Sequence, residues 1–188
     1  MNTLTKMALG LLGQLKPEPA QGEAADTIVL PAANMSGGMP LMQALAQRQS
    51  QREFAPEPLP QQMLSNLLWA AAGLNRPALG GRTVPSALNA QEVDIYVALD
   101  LIMVADYARM KRVPVAQRMA YAHTCAGAMA QNVYLYCASE ELATVIRAWL
   151  DRDALAKAMG LGTEQQVLLS QTVGRKAPYP LLSASAAS

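Results

Sequence analysis

Histidine and cysteine are scarce in this sequence of 188 residues, which contains one histidine, His123, and two cysteines, Cys125 and Cys137. Because a zinc centre takes three or four good ligands, we expect no metal site. A cysteine–histidine nucleophile would have to pair His123 with Cys125, yet residues two apart on a helix do not face each other. On one helix the two cysteines would lie about 18 Å apart, whereas a disulfide needs Cα atoms within about 7 Å. Both are predicted to be reduced, buried thiols.

Aromatic residues and excess charge of one sign are also scarce. Aromatic residues make up 5% of the chain and Phe54 is its only phenylalanine, so we expect no base-stacking surface. Lys and Arg number 15 against 14 Asp and Glu, which gives a formal net charge of +1. The chain therefore has no overall field that would attract nucleic acid or an anionic membrane, although a local cationic pocket remains compatible with it.

Long hydrophobic runs are missing as well, since none approaches the roughly 18 apolar residues of a membrane-spanning helix. The first fifteen residues, Met1–Leu15, contain Lys6, Gln14 and two glycines. They match an export signal poorly, because the apolar segment is interrupted and no suitable small-residue cleavage site follows it. We expect a loosely docked helix here and a cytoplasmic protein, with export through this segment as the alternative.

What the sequence does contain is ample material for one core. Hydrophobic residues make up 52% of the chain, and its length fits a single domain. The segment Lys16–Gly38 is rich in Pro, Ala, Gly and Ser, which is typical of an extended arm. We predict an N-terminal arm over 1–37, one domain over 38–180 and a flexible tail over 181–188.

The hydrophobic periodicity predicts an α+β protein with helix in excess. Helices are predicted from Pro40 to about Arg48–Ser50, from Pro60 to Gly73, over Val115–Leu142 and over Asp151–Met159. Strands are predicted over Val93–Leu99, Leu101–Ala105 and Val167–Val173, with Ala143–Trp149 as strand or turn and Leu74–Val84 as a loop. The long helix is apolar or small nearly all round, which indicates a central helix or one buried in a subunit interface.

The junction between the first two predicted strands is unusual because only Asp100 separates them. A tight hairpin needs about two turn residues, usually with Gly or Asn. The sequence therefore predicts either one long strand or a bend of an uncommon kind.

Three polar motifs are candidates for binding. Arg48, Ser50 and Arg52 alternate after the first helix, so on an extended chain they point to one side and suit a phosphate. Asn89 and Gln91, in Pro85-Ser86-Ala-Leu-Asn89-Ala-Gln91 before the first strand, can donate to and accept from a heteroaromatic edge. Gly174-Arg175-Lys176 follows the last strand. Taken singly, each motif is also compatible with a solvated polar stretch, a capped turn or a basic tail.

In this order the motifs resemble those of the FMN-dependent nitroreductase-like family, closest to its branch of thiazoline/oxazoline dehydrogenase-like proteins or nitroreductases without an assigned substrate. The resemblance runs from about Gly38 to Lys176 and includes the central-helix segments Ala126-Gly127-Ala128 and Gln131–Tyr136. It implies a central antiparallel or mixed sheet flanked by helices, with the long helix at the interface of a homodimer. It also implies one FMN per subunit, bound in a cleft between the two chains.

The resemblance assigns cofactor roles by position. Arg48, Gln49, Ser50 and Arg52 are expected at the FMN phosphate and ribityl chain, completed by Arg175 or Lys176. Pro85, Ser86, Asn89 and Gln91 form the second FMN motif, with Asn89 near the flavin ring or ribityl oxygens. Backbone groups of Ala143, Thr144 and Val145 are expected to face the isoalloxazine. No catalytic side chain is expected, because hydride enters and leaves at flavin N5 and the protein supplies position and electrostatics.

This chain departs from the family in three respects. Relatives carry several tens of residues between the first two strands, where this chain has Asp100 alone. Position 49 is Gln, where Arg or His is common, and Gly174 is followed by Arg175-Lys176 rather than Tyr-Pro. The expected activity is hydride transfer from NAD(P)H to a small electron-poor acceptor such as a nitroaromatic or quinone. The alternative is a non-catalytic flavin-binding or scaffold homodimer on the same fold.

Overall fold

The computed structural model describes residues 28–97 and 100–178. Part of the predicted arm, 1–27, and the predicted tail, 181–188, lie outside these ranges. In the described part, the helices are α1 (Leu41–Gln47), α2 (Gln61–Ala72), α3 (Val115–Ser139) and α4 (Arg152–Ala158). The strands are β1 (Leu74–Arg76), β2 (Gly81–Arg82), β3 (Val93–Val97), β4 (Leu101–Asp106), β5 (Leu142–Arg147) and β6 (Gln165–Arg175). The predicted α+β class is confirmed.

The main sheet has the strand order β3-β4-β6-β5, and every neighbouring pair is antiparallel. Of the predicted central antiparallel or mixed sheet, the antiparallel form is therefore the one present. The segment Ala143–Trp149, predicted as strand or turn, forms strand β5. The sheet's two inner strands, β4 and β6, meet with a register shift between Met103 and Val104.

The junction around Asp100 is a hairpin, so the alternative of one long strand was wrong. Val97 pairs with Leu101, and the antiparallel register continues to Val93 opposite Ala105. The described parts, β3 (Val93–Val97) and β4 (Leu101–Asp106), are therefore two antiparallel strands.

The loop predicted over Leu74–Val84 also contains regular structure. Strands β1 and β2 form a small antiparallel pair in which Leu74 lies opposite Arg82. Gly80 has φ 64°, a left-handed conformation that glycine adopts without steric cost. The Gly, Pro and Asn residues of this segment therefore belong to a short hairpin rather than to an irregular loop.

Both faces of the sheet are covered by helices, which explains the composition of β4. All six residues of Leu101–Asp106 are buried. Met103 and Ala105 belong to the core under α3, whereas Ile102 and Val104 belong to a second core under α4. Alternate residues of one strand thus fill two cores, as the period of two requires.

Helix α3 is the long central helix that the sequence predicted, and its inner face lies on the sheet. Ala122, Ala126, Val133 and Cys137 are fully buried. Small residues at these positions allow a close approach between helix and sheet. Near the start of the helix, Val115, Met119 and Tyr121 are exposed to solvent. No helix in the described ranges is long and apolar enough to cross a membrane.

Helix α2 also carries the described end of the predicted arm. The hydroxyl of Ser65 donates to the carbonyl of Pro31 (2.5 Å), and the N–H of Asn34 donates to Oδ1 of Asn66 (2.8 Å). The N–H of Met39 then donates to Oγ of Ser139 at the end of α3 (2.8 Å). Residues 31–39 therefore follow the surface of the two helices and deliver the chain to α1.

Candidate functional site

The first and third motifs meet at one edge of the sheet. The chain after α1 runs along β5, where the N–H of Gln51 donates to the carbonyl of Thr144 (2.9 Å). It then pairs with the end of β6, since Phe54 bridges Lys176 and the N–H of Ala55 donates to the carbonyl of Arg175 (3.0 Å). A short pairing between segments 120 residues apart thus brings the predicted phosphate ligands together.

Glycine at position 174 permits this close approach. A Cβ atom there would lie 3.1 Å from Cδ1 of Phe54 and 3.6 Å from its Cβ. The single phenylalanine of the chain therefore packs directly on the backbone of β6. Its role is to join the first motif to the sheet.

Tyr134 of α3 holds the first motif from below. Its hydroxyl lies 2.7 Å from Oγ of Ser50 and accepts a hydrogen bond from the N–H of Ile146 (3.0 Å). The guanidinium carbon of Arg48 lies 5.3 Å from the centre of the Tyr134 ring, within cation–π range. One buried aromatic residue thus orients both Arg48 and Ser50, a role that the sequence analysis did not assign to it.

Around these residues lies a cavity of about 510 Å³, which we call the polar cleft. Its lining includes Arg48, Gln49, Gln51, Tyr134, Thr144 and Lys176. A smaller adjoining cavity of about 210 Å³ is lined by Gln51, Arg52, Glu53, Lys176 and Ala177. Three cations therefore converge where α1, β5 and β6 meet, with one exposed carboxylate, Glu53, at the rim.

The donor set of the polar cleft suits a phosphate. Arg48, Arg52 and Lys176 form no ion pair with another described residue, so no described carboxylate neutralises them. Guanidinium groups bind phosphate oxygens in a forked geometry, and Lys adds a further donor. The residues present therefore fit the phosphate group of FMN. Arg175 differs, because its side chain lines neither of these two cavities.

The three residues predicted behind the flavin ring are largely occupied by the sheet. Ala143 and Val145 are buried, at 0% and 3% exposure. The hydroxyl of Thr144 donates to the carbonyl of Thr172 (2.8 Å) and accepts from Nε2 of Gln171 (3.1 Å). Of the three, Thr144 is the one that lines the polar cleft.

The second motif lies elsewhere, in a strained loop before β3. Leu88, Asn89 and Gln91 have φ values of 53°, 57° and 51°. Left-handed backbone is uncommon for residues other than glycine, although Asn adopts it more often than most. The loop is fixed from inside, since Oγ of Ser86 accepts from the N–H of Gln91 (3.0 Å). Non-glycine strain of this kind is characteristic of functional segments.

Gln91 is almost fully used within the chain. Its Nε2 donates to the carbonyl of Gly80 (2.5 Å) and to Oδ1 of Asn89 (3.1 Å). Its Oε1 accepts from Nε of Arg82 (2.6 Å), and its backbone carbonyl accepts from Arg109 (2.6 Å). The residue is only 7% exposed, so Gln91 stabilises the loop from inside the protein rather than presenting a free amide.

Pro85, Ser86 and Leu88 line a second cavity of about 460 Å³, which we call the apolar cavity. The remainder of its wall comes from the turn after β4 and the first half of α3. Side chains in this part of the wall include Arg112, Val113, Pro114, Tyr121 and Cys125. No sequence pattern indicated this cavity, because its walls come from two stretches, 85–88 and 112–125, that are distant in the sequence.

A buried polar cluster lies behind the apolar cavity. Arg109 forms ion pairs with Asp94 and with Asp106. Glu92 is fully buried, and neither of its carboxylate oxygens has a hydrogen-bond partner among the described residues. Burial raises the pKa of Glu92, which favours a neutral carboxyl group.

The two cysteines are confirmed as free and buried. Burial raises the pKa of each thiol to about 12, and for Cys125 the nearby Glu92 adds to the effect. Neither thiol is therefore a nucleophile at neutral pH. Within the described ranges, no cluster of His, Cys, Asp and Glu is arranged to hold a metal ion.

The polar cleft and the apolar cavity lie at different points along α3. Tyr134 lines the first and Tyr121 the second. Thirteen positions along a helix correspond to about 20 Å. One chain therefore does not bring its second motif to its own polar cleft. Fold and site together define an α+β protein with a cationic cleft at the sheet edge and a separate apolar cavity.

Comparison with known proteins identifies this class more closely. The model of the Nitroreductase family matches residues 45–101 and 97–175. A protein of Ralstonia eutropha JMP134 assigned as a nitroreductase is 40% identical, with a TM-score of 0.80, over 88% of this chain and 96% of that one. The chain belongs to the nitroreductase family. No curated protein matches it.

More distant solved structures share the fold. The NADPH:FMN oxidoreductase of Vibrio harveyi is 18% identical, with a TM-score of 0.62, over 74% of this chain and 70% of that one. Nitroreductase A of Vibrio parahaemolyticus is 19% identical, with a TM-score of 0.61, over 74% and 69%. Family membership supports a general flavin-dependent oxidoreductase.

The absence of a segment between the first two strands stays a prediction, which two observations support. The two matched pieces of the family model meet at residues 97–101, which is the β3–β4 hairpin. The Ralstonia protein is covered almost completely by this chain, so it has nearly the same length. The short form is therefore shared by a relative, whereas the Vibrio harveyi protein has regions that this chain lacks.

Proposed function

We propose that this protein is an FMN-dependent oxidoreductase that passes hydride from NAD(P)H to a small electron-poor acceptor, such as a nitroaromatic or a quinone. The observation that carries the proposal is the convergence of Arg48, Arg52 and Lys176, without ion-pair partners among the described residues, on two adjoining cavities. A phosphate monoester needs a site with more than one cation. The name of the Vibrio harveyi neighbour, an NADPH:FMN oxidoreductase, supports FMN as the cofactor.

The residues of the polar cleft have separable roles in this proposal. Arg48 and Arg52 bind phosphate oxygens, with Lys176 as a third cation and Arg175 close to it in the chain. Ser50, oriented by Tyr134, donates or accepts at the ribityl chain. Gln49 and Thr144 line the same cleft and contribute neutral polar contacts.

We further propose that the working unit is a homodimer. The second motif lies about 20 Å along α3 from the polar cleft, so a second copy of the chain is needed to supply it. Leu41 and Met42 of α1 are 62% and 75% exposed, and Val115 and Met119 of α3 are 76% and 55% exposed. Burying such a surface would stabilise a dimer. Pro85, Ser86 and Asn89 would then complete the partner's site.

When bound, FMN supplies a ring that accepts hydride from the reduced nicotinamide and donates it to the acceptor at N5. The chain itself binds, orients and excludes water. For a nitroaromatic the overall exchange is two electrons and two protons, which converts the nitro group to nitroso and releases one water. The hydride and one solvent proton account for them, so no side-chain nucleophile is needed. We propose the cytoplasm as the compartment, because reduced nicotinamides are found there.

The absorption spectrum of the purified full chain, before and after adding FMN and desalting, tests the proposal. Flavin bands near one per chain, a dimeric mass in solution and oxidation of NADH or NADPH with a nitroaromatic are the expected results. A colourless protein after desalting contradicts it. Retained FMN without nicotinamide oxidation supports the alternative of a flavin-binding scaffold.

A further inference from the structure

The apolar cavity has a charge distribution unlike that of the polar cleft. Its lining includes Pro85, Leu88, Val113, Pro114 and Tyr121, which present mainly carbon to the interior. Its volume of about 460 Å³ is within the usual range for small-molecule sites, about 300–1,000 Å³. It is large enough for a substituted aromatic ring.

Most polar groups in this wall are already engaged. Oγ of Ser86 accepts from Gln91, Oγ1 of Thr124 donates to the carbonyl of Ala120 (2.9 Å), and the hydroxyl of Tyr121 donates to Oε1 of Gln117 (3.1 Å). The raised pKa of Cys125 keeps its thiol neutral. These groups hold the wall in place and offer little to a ligand.

Arg112 is different, since it is the one charged side chain in the lining of the apolar cavity. It is exposed, and among the described residues it has no hydrogen bond or ion pair. Its neighbour Arg109, by contrast, is paired with Asp94 and Asp106. A free guanidinium beside an apolar cavity favours a ligand that carries a single negative charge on an apolar body.

We propose that the acceptor taken by the apolar cavity is an aromatic monocarboxylate, and that Arg112 is the residue that selects it. This rests on the proposed function, and it adds that the apolar cavity, which Pro85 and Ser86 of the second motif help to line, forms one wall of the acceptor site. A carboxylate suits the cavity better than a phosphate, because the single positive charge of Arg112 matches the single negative charge of a carboxylate. The polar cleft, with three cations, has the complement suited to a phosphate.

Equilibrium binding without nicotinamide tests this selection, with no turnover in the readout. The full chain, in excess FMN, is titrated calorimetrically with 4-nitrobenzoate and with the neutral analogue 4-nitrobenzamide. Arg112→Gln is expected to weaken 4-nitrobenzoate roughly tenfold, the effect of one charge-assisted contact, and to change 4-nitrobenzamide less than about twofold. Lys157→Gln, which removes one positive charge from the exposed surface of α4, should change neither.

Charge reversal provides a positive control for folding. Arg112→Glu is expected to bind the cationic 4-nitrobenzylammonium about tenfold more tightly than the wild type does, while 4-nitrobenzoate binding is lost. Equal loss in Arg112→Gln for the acid and the amide would overturn the inference. So would wild-type protein that fails to bind 4-nitrobenzoate.

The absorption spectrum of the same samples separates this inference from the proposed function. Retained FMN with no preference for the acid overturns the inference alone. Absent FMN with a preference that depends on Arg112 overturns the proposed function, while the anion selectivity of the cavity stands.

Discussion

The polar cleft and the apolar cavity share the central helix but are built in different ways. The cleft is formed by backbone pairing at the sheet edge, which places cations on a rigid frame. The cavity is formed by a strained loop and a turn, which place apolar groups around one free cation. In the proposed function, the site fixed by the sheet would hold the invariable phosphate group of the cofactor, and the site formed by loops would take the acceptor.

Removing the two arginines of the first motif is expected to give the largest effect, and it should impair the polar cleft while leaving the apolar cavity unchanged. Arg48→Ala with Arg52→Ala should weaken FMN binding by several kcal/mol, because each charge-assisted bond contributes about 1.5–3 kcal/mol. Fluorescence titration of FMN against the double variant measures this. Unchanged affinity would refute the placement of the phosphate, and Lys157→Ala serves as a charge control.

Tyr134 lines the polar cleft and Tyr121 lines the apolar cavity, so the same substitution can be compared at the two sites. Tyr134→Phe leaves the N–H of Ile146 without its partner and frees Ser50, so unfolding free energy should fall by about 1–3 kcal/mol and FMN affinity should decrease. Tyr121→Phe loses only an exposed bond to Gln117, and should change stability by less than about 0.5 kcal/mol. Denaturant titration with equal effects for the two variants would contradict this.

The buried carboxyl group behind the apolar cavity should make stability depend on pH. Burial raises the pKa of Glu92 above its ordinary value of 4.5, so its contribution is fully present below pH 4.5 and lost as pH rises through the raised pKa. Glu92→Gln removes this dependence, so its stability relative to the wild type should be higher at pH 8 than at pH 5. Urea titrations at pH 5 and pH 8 measure it. Exposed Glu57→Gln is the control, and an unchanged slope in Glu92→Gln would refute the assignment.

The strained loop should give the smallest effect. Leu88 has φ 53° and ψ 23°, so Leu88→Gly should be more stable than Leu88→Ala by about 1 kcal/mol, because glycine avoids the left-handed strain. The two variants lose the same packing apart from one methyl group. Ala87, whose φ is not positive, gives the opposite expectation, since Ala87→Gly should reduce stability. Thermal unfolding of the three variants tests the sign, and Leu88→Ala as the more stable of the pair would contradict it.

Local sequence patterns predicted most helices and strands because those patterns depend on near neighbours. The spacing of small and apolar residues indicated α3, and Asp151 before α4 accepts from the N–H of Ala154 (2.9 Å) as a helix cap should. The β3–β4 hairpin was harder, because the ends of strands depend on pairing across the turn rather than on hydrophobicity. The β1–β2 pair was missed for the same reason.

The candidate site shows the same division. The motif residues of the polar cleft could be recognised from spacing, and the structure brings Arg48, Ser50, Arg52 and Lys176 together. Their cofactor role stays a prediction, as do those of Gln49, Pro85, Ser86, Asn89, Gln91, Ala143, Thr144, Val145 and Arg175. Tyr134 and Arg112 carried no sequence signal that could have distinguished them, because one is a typical buried helix residue and the other a typical surface cation.

The sequence by itself determined most of the helices and strands of this protein, its family and the residues able to bind a phosphate, since each depends on residue type and local order. The tertiary structure decided which of them meet. The strand order β3-β4-β6-β5 and the pairing of Phe54 with Lys176 join segments far apart in the chain. Such contacts depend on how the sheet and helices bury their apolar faces together, which no local pattern contains.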